Sequence, residues 1–234
     1  HEKSGKVNNS RSKMMPTVAT EIVTLYQIET KLKQMNPKSL PGYTAHQLLA
    51  PRPRHGWQPD ETPVTARPAA VLVLLYPLQG VPHILLTVRA SHLQAHAGQV
   101  SFPGGVLENS ETITDGALRE TFEEVGVHQE RILVTGPLTT LYVPASNFAL
   151  HPVVGICKSN PNLKPAKSEV DRILQVPITK LADPQNLHVG VRWRINQTYA
   201  VPFFEVCGER VWGATSMVLA EVLTVLGLPP NNPW

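Results

Sequence analysis

The 234-residue chain predicts an α/β fold, a mixed β-sheet held between helices. Three observations carry that expectation. Apolar runs of strand length stand at Ala69 to Tyr76 (AAVLVLLY), His83 to Arg89 (HILLTVR) and Ala149 to Cys157 (ALHPVVGIC), and such runs bounded by turn residues read as buried strands. Between the second and third lies Thr112 to Val125, with acidic residues on one side and apolar residues on the other. Ala214 to Leu226 is apolar nearly all round, the pattern of a buried helix. Strands bracketing one helix, with another helix beyond them, suit a sheet covered on both faces.

Taken in order, residues 1–15 read as a disordered or added tail. Thr17 to Met35 has helical spacing at Ile22, Leu25, Tyr26, Ile28 and Leu32 and stops before Pro37. Dense proline over residues 37–68 predicts a surface wrap with little regular structure, so residues 16–68 form an appended segment and 69–228 the main domain. A turn over Pro77–Pro82 joins the first two strands. Leu138 to Val143 is a further strand, Ser168 to Arg172 one helical turn, and Val176 to Leu181 a short element after it. Gly190 to Ile195 and Thr198 to Val206 pair as a hairpin around Asn196-Gln197.

Composition narrows the function. Hydrophobic content of 42% and charged content of 17% describe a folded globular chain, and a net charge of +3 gives no basis for a nucleic-acid partner. Cys157 and Cys207 lie far apart in apolar runs, and two reduced, buried thiols are expected. HEKSGKVNNSRSK lacks the apolar core of a secretory leader, and Met217 to Leu226 is too short to span a bilayer, so the expectation is a cytoplasmic protein with no membrane partner.

The chemistry is concentrated in Phe102 to Val127, FPGGVLENSETITDGALRETFEEVGV. On a helix over Thr112 to Val125, at about 100° per residue, Glu120, Glu123 and Glu124 share roughly a third of the circumference, while Leu118, Phe122 and Val125 gather opposite. Thr112 with Asp115 resembles a capping box, and Gly126 stands where a left-handed residue closes a helix. Three neighbouring carboxylates repel one another unless a hard divalent cation, Mg²⁺ or Mn²⁺, reverses the sign. Gly104 and Gly105 lack side chains, so their backbone can approach such a ligand and Gly105 can offer a carbonyl.

Gly105, five residues, Glu111, seven residues, Arg119-Glu120, then Glu123-Glu124, Gly126 and Val127 resembles the Nudix box. The one departure is Thr121 where an aliphatic residue is usual. The resemblance implies a Nudix-type α/β/α sandwich and a metal-dependent hydrolase of phosphoanhydrides. Glu123, Glu124 and the Gly105 carbonyl then hold the metal, with Glu111 among the metal residues; Glu120 serves as ligand or general base, Glu123 is also counted as catalytic, and Arg119 orients a neighbouring carboxylate, Glu111 or Glu120.

Upstream, Leu85-Leu86-Thr87-Val88-Arg89, then Gly98, then Phe102-Pro103-Gly104-Gly105 is similar to the signature of the coenzyme A pyrophosphohydrolase branch, with Ala90 and Gln94 in place of a serine and an arginine. Ser168-Glu169-Val170 and Val211 to Thr215 also resemble that branch. This resemblance implies hydrolysis of coenzyme A or its acyl esters to 3′,5′-ADP and phosphopantetheine, with Arg89, Gly98, Phe102, Gly104 and Glu169 near substrate. His92 and His96 lie on a loop within reach of a ligand, and Trp212 has both a stacking and a core reading. ADP-ribose or NADH is the competing substrate class, and a non-catalytic nucleotide-binding module a more distant alternative. A homodimer is compatible with the family.

Overall fold

The computed structural model describes residues 23–54, 61–92, 98–194 and 196–234. The expected tail over 1–15, residues 17–22 of the expected first helix, Gln94 and His96 lie outside them. Two helices come first, α1 (Leu25–Lys33) and α2 (Gly42–His46). Then follow β1 (Arg67–Leu78), β2 (Val81–Arg89), β3 (Val100–Ser101), β4 (Gly104–Val106) and α3 (Ile113–Val125). The chain continues through β5 (Leu133–Pro137), β6 (Leu141–Val143), β7 (Phe148–Ile156), β8 (Val170–Pro177) and α4 (Ile178–Ala182). It closes with β9 (Leu187–Arg194), β10 (Gln197–Val206), β11 (Glu209–Trp212) and α5 (Ala214–Val225).

The larger sheet is mixed. β1 and β7 pair in parallel from Arg67↔Phe148 to Leu75↔Ile156, and the other neighbours are antiparallel. Alternation along β1 builds two cores. Ala70, Leu72, Leu74 and Tyr76 face α3 with Ala117 and Val125. Val71, Val73 and Leu75 face the opposite side, where they meet Met217, Leu219, Val222 and Leu223 of α5. The expected sheet between helices is therefore the architecture observed. A smaller sheet, β11-β10-β9, adds Phe204, Val206 and Val211 to the α5 side.

Several expectations need correction. The first helix begins at Leu25, because Thr24 and Gln27 form a capping box that fixes its start. Residues 37–68 contain α2, which packs on α5. The predicted helical turn at Ser168 to Arg172 is instead a turn leading into β8, whose backbone pairs with β2 from Arg89↔Val170 to His83↔Pro177. The sheet edge of β2 claims those backbone groups, and local propensity loses to that pairing. β5 and β11 had no clear local signal. The strand expected from Leu138 begins at Leu141. Cys157 is buried as expected, but Cys207 is exposed in the turn between β10 and β11. Among the described residues no helix is long and apolar enough to cross a membrane.

Candidate active site

Helix α3 is fixed at both ends by its sequence. Thr112 Oγ1 accepts from the Asp115 backbone N–H at 3.1 Å and donates to the Asp115 carboxylate at 2.5 Å. Gly126 closes the helix with φ 74°, its N–H donating to the Phe122 carbonyl. Between these ends the buried face differs from the expected one. Gly116, Ala117, Thr121, Glu124 and Val125 are buried, while Phe122 is 46% exposed beside the His128 ring. Thr121 belongs there because its hydroxyl donates to the Ala117 carbonyl at 2.7 Å, which removes the cost of an unpaired group. Gly116 is required too: a Cβ would come 2.3 Å from Leu107 Cδ2 and 3.0 Å from Glu111 Oε2.

The helix turns toward the sheet with a carboxylate on its buried side. Glu124 is only 5% exposed, and its Oε2 has no hydrogen-bond partner. Burial, with the charges of Glu120 and Glu169 added, pushes its pKa up to about 8 against the opposing pull of Arg89 and a Gly104 backbone hydrogen bond. Burial also raises Glu120, although the adjoining Arg119 opposes it.

Arg119 gathers the other acids. Its Nε and Nη2 donate to the two oxygens of Glu111 at 2.8 and 3.0 Å, a bidentate pair. Its Nη1 donates to Glu120 at 2.8 Å and to Glu123 at 3.0 Å. That guanidinium holds Glu111 well below the usual carboxylate range, helped by the Glu108 N–H. Arg119 thus reaches three carboxylates at once.

The two glycines fit this cluster for different reasons. A Cβ on Gly105 would lie 2.5 Å from Glu120 Oε1, so the missing side chain is the space that Glu120 occupies. A Cβ on Gly104 would lie 2.3 Å from the Ala70 carbonyl, at φ 155°, so that glycine is set by the β1–β4 pairing.

Glu169 is delivered from far along the chain. Lys164 and Ala166 N–H groups donate to the carbonyls of Val125 and Glu124, clamping residues 164–166 to the end of α3. The Glu169 carbonyl accepts from Ala90 N–H at 2.8 Å, beside the register shift at Val88/Arg89. Arg89, Glu120 and Glu169 all act electrostatically on Glu124 at this rim of α3. Gly98, with φ 69°, closes the chain back on Arg89, its N–H donating to the Arg89 carbonyl. His92 is exposed, its Nε2 3.1 Å from the Ser168 carbonyl. Phe102 departs from its expected place among the substrate contacts: it is 2% exposed and packs in the α5-side core with Val100. Trp212 is half-buried under the Arg192 guanidinium.

The donor set suits a divalent cation. It consists of hard anionic oxygens, one of them buried without a partner, beside a glycine backbone against which the Glu120 carboxylate lies. Among the described residues no three such side chains already converge on one point, because Arg119 draws Glu111, Glu120 and Glu123 to itself.

Comparison with known proteins identifies the arrangement. The family described as "NUDIX domain" matches residues 66–194. The chain belongs to the Nudix hydrolase family. Nudix hydrolase 3 of Caenorhabditis elegans is 33% identical over 175 residues, covering 67% of this chain and 72% of that protein. The Uncharacterized Nudix hydrolase NudL of Salmonella paratyphi B is 32% identical over 185 residues, covering 79% and 92%. The crystal structure of the M. smegmatis Nudix hydrolase RenU shares 24% identity over 50% of this chain and 74% of its own, with a TM-score of 0.44. This Nudix hydrolase is accordingly a pyrophosphohydrolase acting on nucleoside diphosphate derivatives, and Nudix hydrolases generally use divalent metal ions.

Proposed function

We propose that this Nudix hydrolase cleaves the diphosphate of coenzyme A or its acyl esters, with Mg²⁺ or Mn²⁺, to 3′,5′-ADP and (acyl-)4′-phosphopantetheine. The observation that supports the reading is that charges from two separate sequence signatures act on one buried acid. Arg89 of the upstream signature and Glu169 of the later one both act on Glu124 of the acidic helix, and the Ala90 N–H donates to the Glu169 carbonyl. Neither relative's name specifies coenzyme A, so the substrate rests on these residues.

In this reading Glu120, Glu123, Glu124 and the Gly105 carbonyl hold the divalent ion. The bound ion offsets the anionic charge of the diphosphate and acidifies water. Glu120 or Glu123 accepts the proton of the attacking water; the acids are close enough to titrate as a set. Arg119 positions Glu120 and Glu123 through its Nη1, and Glu111 fixes the guanidinium from the other edge. Arg89, in the field of Glu124, offers a guanidinium to a substrate phosphate. The nucleotide is a small-molecule substrate, and the free thiols Cys157 and Cys207 accord with a cytoplasmic location.

ADP-ribose or NADH is the second reading, favoured by Ala90 and Gln94, which replace the serine and arginine of the upstream signature. Purified protein incubated with coenzyme A, ADP-ribose and NADH, each with Mg²⁺ or Mn²⁺, separates them. Coenzyme A should give the highest kcat/KM, with 3′,5′-ADP as product. A higher value for ADP-ribose or NADH rejects the coenzyme A reading.

A further inference from the structure

The smaller sheet carries a cationic face that hydrolysis does not use. Phe204 and Val211 point into the α5-side core, so strand alternation sends Phe203, Arg210 and Trp212 to the opposite face. His188 and Arg192 join them there, opposite Phe203 and Tyr199. The Arg192 guanidinium lies 3.8 Å from the Trp212 ring centroid, and that of Arg210 lies 4.9 Å from the Phe203 ring. Stacking of this kind fixes a guanidinium while leaving its N–H donors to point outward.

Both arginines are exposed, and among the described residues neither is ion-paired to a carboxylate. Glu205, opposite Arg210, lies 3.8 Å from His188, and Glu209 is taken by Arg172. The two cations feel one another: besides burial, the charge of Arg210 lowers the pKa of Arg192. An anion with two charges would relieve that repulsion. The face also adjoins the strand that leads into the glycine pair. Trp212 ends β11, which lies against β3, and Thr215 just beyond it donates to the Val100 carbonyl at 2.9 Å. From Val100 and Ser101 the chain runs directly into Phe102–Gly105.

We propose that Arg192 and Arg210, held over Trp212 and Phe203, bind the 3′-phosphate on the nucleoside end of a coenzyme A-like substrate. This deepens the coenzyme A reading and rests on it. Only a ribose separates that phosphate from the diphosphate, and neither ADP-ribose nor NADH carries it. The arginine pair therefore selects among nucleoside diphosphate derivatives.

The test compares coenzyme A with 3′-dephospho-coenzyme A in steady-state kinetics with Mg²⁺, and 3′,5′-ADP with 5′-AMP by calorimetry. Wild-type protein should favour coenzyme A in kcat/KM by about tenfold or more, the scale of a hydrogen bond between charged groups. Arg192→Ala and Arg210→Ala should each lower that ratio, mainly through KM for coenzyme A. Arg192→Lys should fall between, keeping the charge and losing the stacked plane. No wild-type preference, or a ratio that neither alanine variant moves, overturns the inference while leaving coenzyme A hydrolysis standing. If neither coenzyme is cleaved, the substrate reading fails separately and calorimetry decides the phosphate site. Tighter binding of 3′,5′-ADP than of 5′-AMP, lost in Arg192→Ala, sustains it; equal affinities overturn it.

Discussion

Two buried glutamates on two helices show how a carboxylate that holds a fold differs from one that waits for a ligand. Glu221 of α5 is fully buried and saturated. It accepts from His46 Nε2 at 2.9 Å, from the Gly42 N–H at 3.2 Å, and from the Thr139 N–H and hydroxyl at 3.2 and 2.6 Å. Those bonds tie α2 and the segment between β5 and β6 onto α5. Glu124 of α3 is nearly as buried, yet one of its oxygens has no partner and its neighbours Glu120 and Glu169 repel it. A buried acid without a full set of partners costs stability that a purely structural position would not retain.

The largest effect expected from this contrast is catalytic. Glu120→Gln should lower kcat by about 10²- to 10⁴-fold, the range of a lost general base, with an unchanged melting curve. Glu124→Gln should weaken Mn²⁺ binding at least about tenfold, the scale on which even outer-shell losses act. It should not destabilise the ion-free protein, since a neutral amide escapes the burial penalty. A fall in stability on that substitution would break the comparison.

Glu221→Ala should do the reverse. With His46, Gly42 and Thr139 left unpaired, stability in urea should drop by about 3–5 kcal/mol, while the folded fraction retains its kcat. Loss of kcat without loss of stability would show that Glu221 belongs to the chemistry.

The adjacent glycines sharpen the same distinction. Gly104→Ala sets a Cβ against the backbone carbonyl of Ala70 at a left-handed φ, so it should cost stability first. Gly105→Ala meets the movable end of Glu120, so it should leave the melting curve near wild type and lower kcat. Mn²⁺ should stabilise the protein by about 2.7 kcal/mol at a hundred times Kd, and by about 1.4 kcal/mol or less in Glu124→Gln at the same concentration.

The smallest effect is at acid pH. Glu111 has its folded pKa depressed by Arg119, so it contributes stability above the ordinary value of 4.5, and this is lost as pH falls through the lower folded value. Glu111→Gln should lower the ion-free protein's stability at neutral pH and flatten the acid limb, so that the two profiles converge at low pH.

What could be read in the chain is what depends on neighbours in sequence. Thr112 and Gly126 bounded α3, since caps act over three or four residues. The alternation through Gly190 to Val206 predicted the hairpin of β9 and β10. The spacing of Gly105, Glu111, Arg119 and the paired glutamates marked the site itself. Residues outside those local patterns were harder to place. Phe122 was expected in the core and is exposed, because the close approach of Leu107 and Glu111 at Gly116 rotates a different face toward β1. β8 was misread because its partner strand lies about eighty residues upstream. Glu221 gave no signal inside an apolar helix, since its partners come from Gly42, His46 and Thr139.

The sequence by itself determined the identity and spacing of the acidic set, the ends of the helix that carries it and the strands beneath, all properties of local periodicity and capping. Only the tertiary structure decided which carboxylate is buried, which acids Arg119 gathers, how Glu169 reaches the rim, and that Arg192 and Arg210 share a face. Those outcomes depend on segments distant in the chain competing for the same space and the same hydrogen bonds, and no window of neighbouring residues contains that competition.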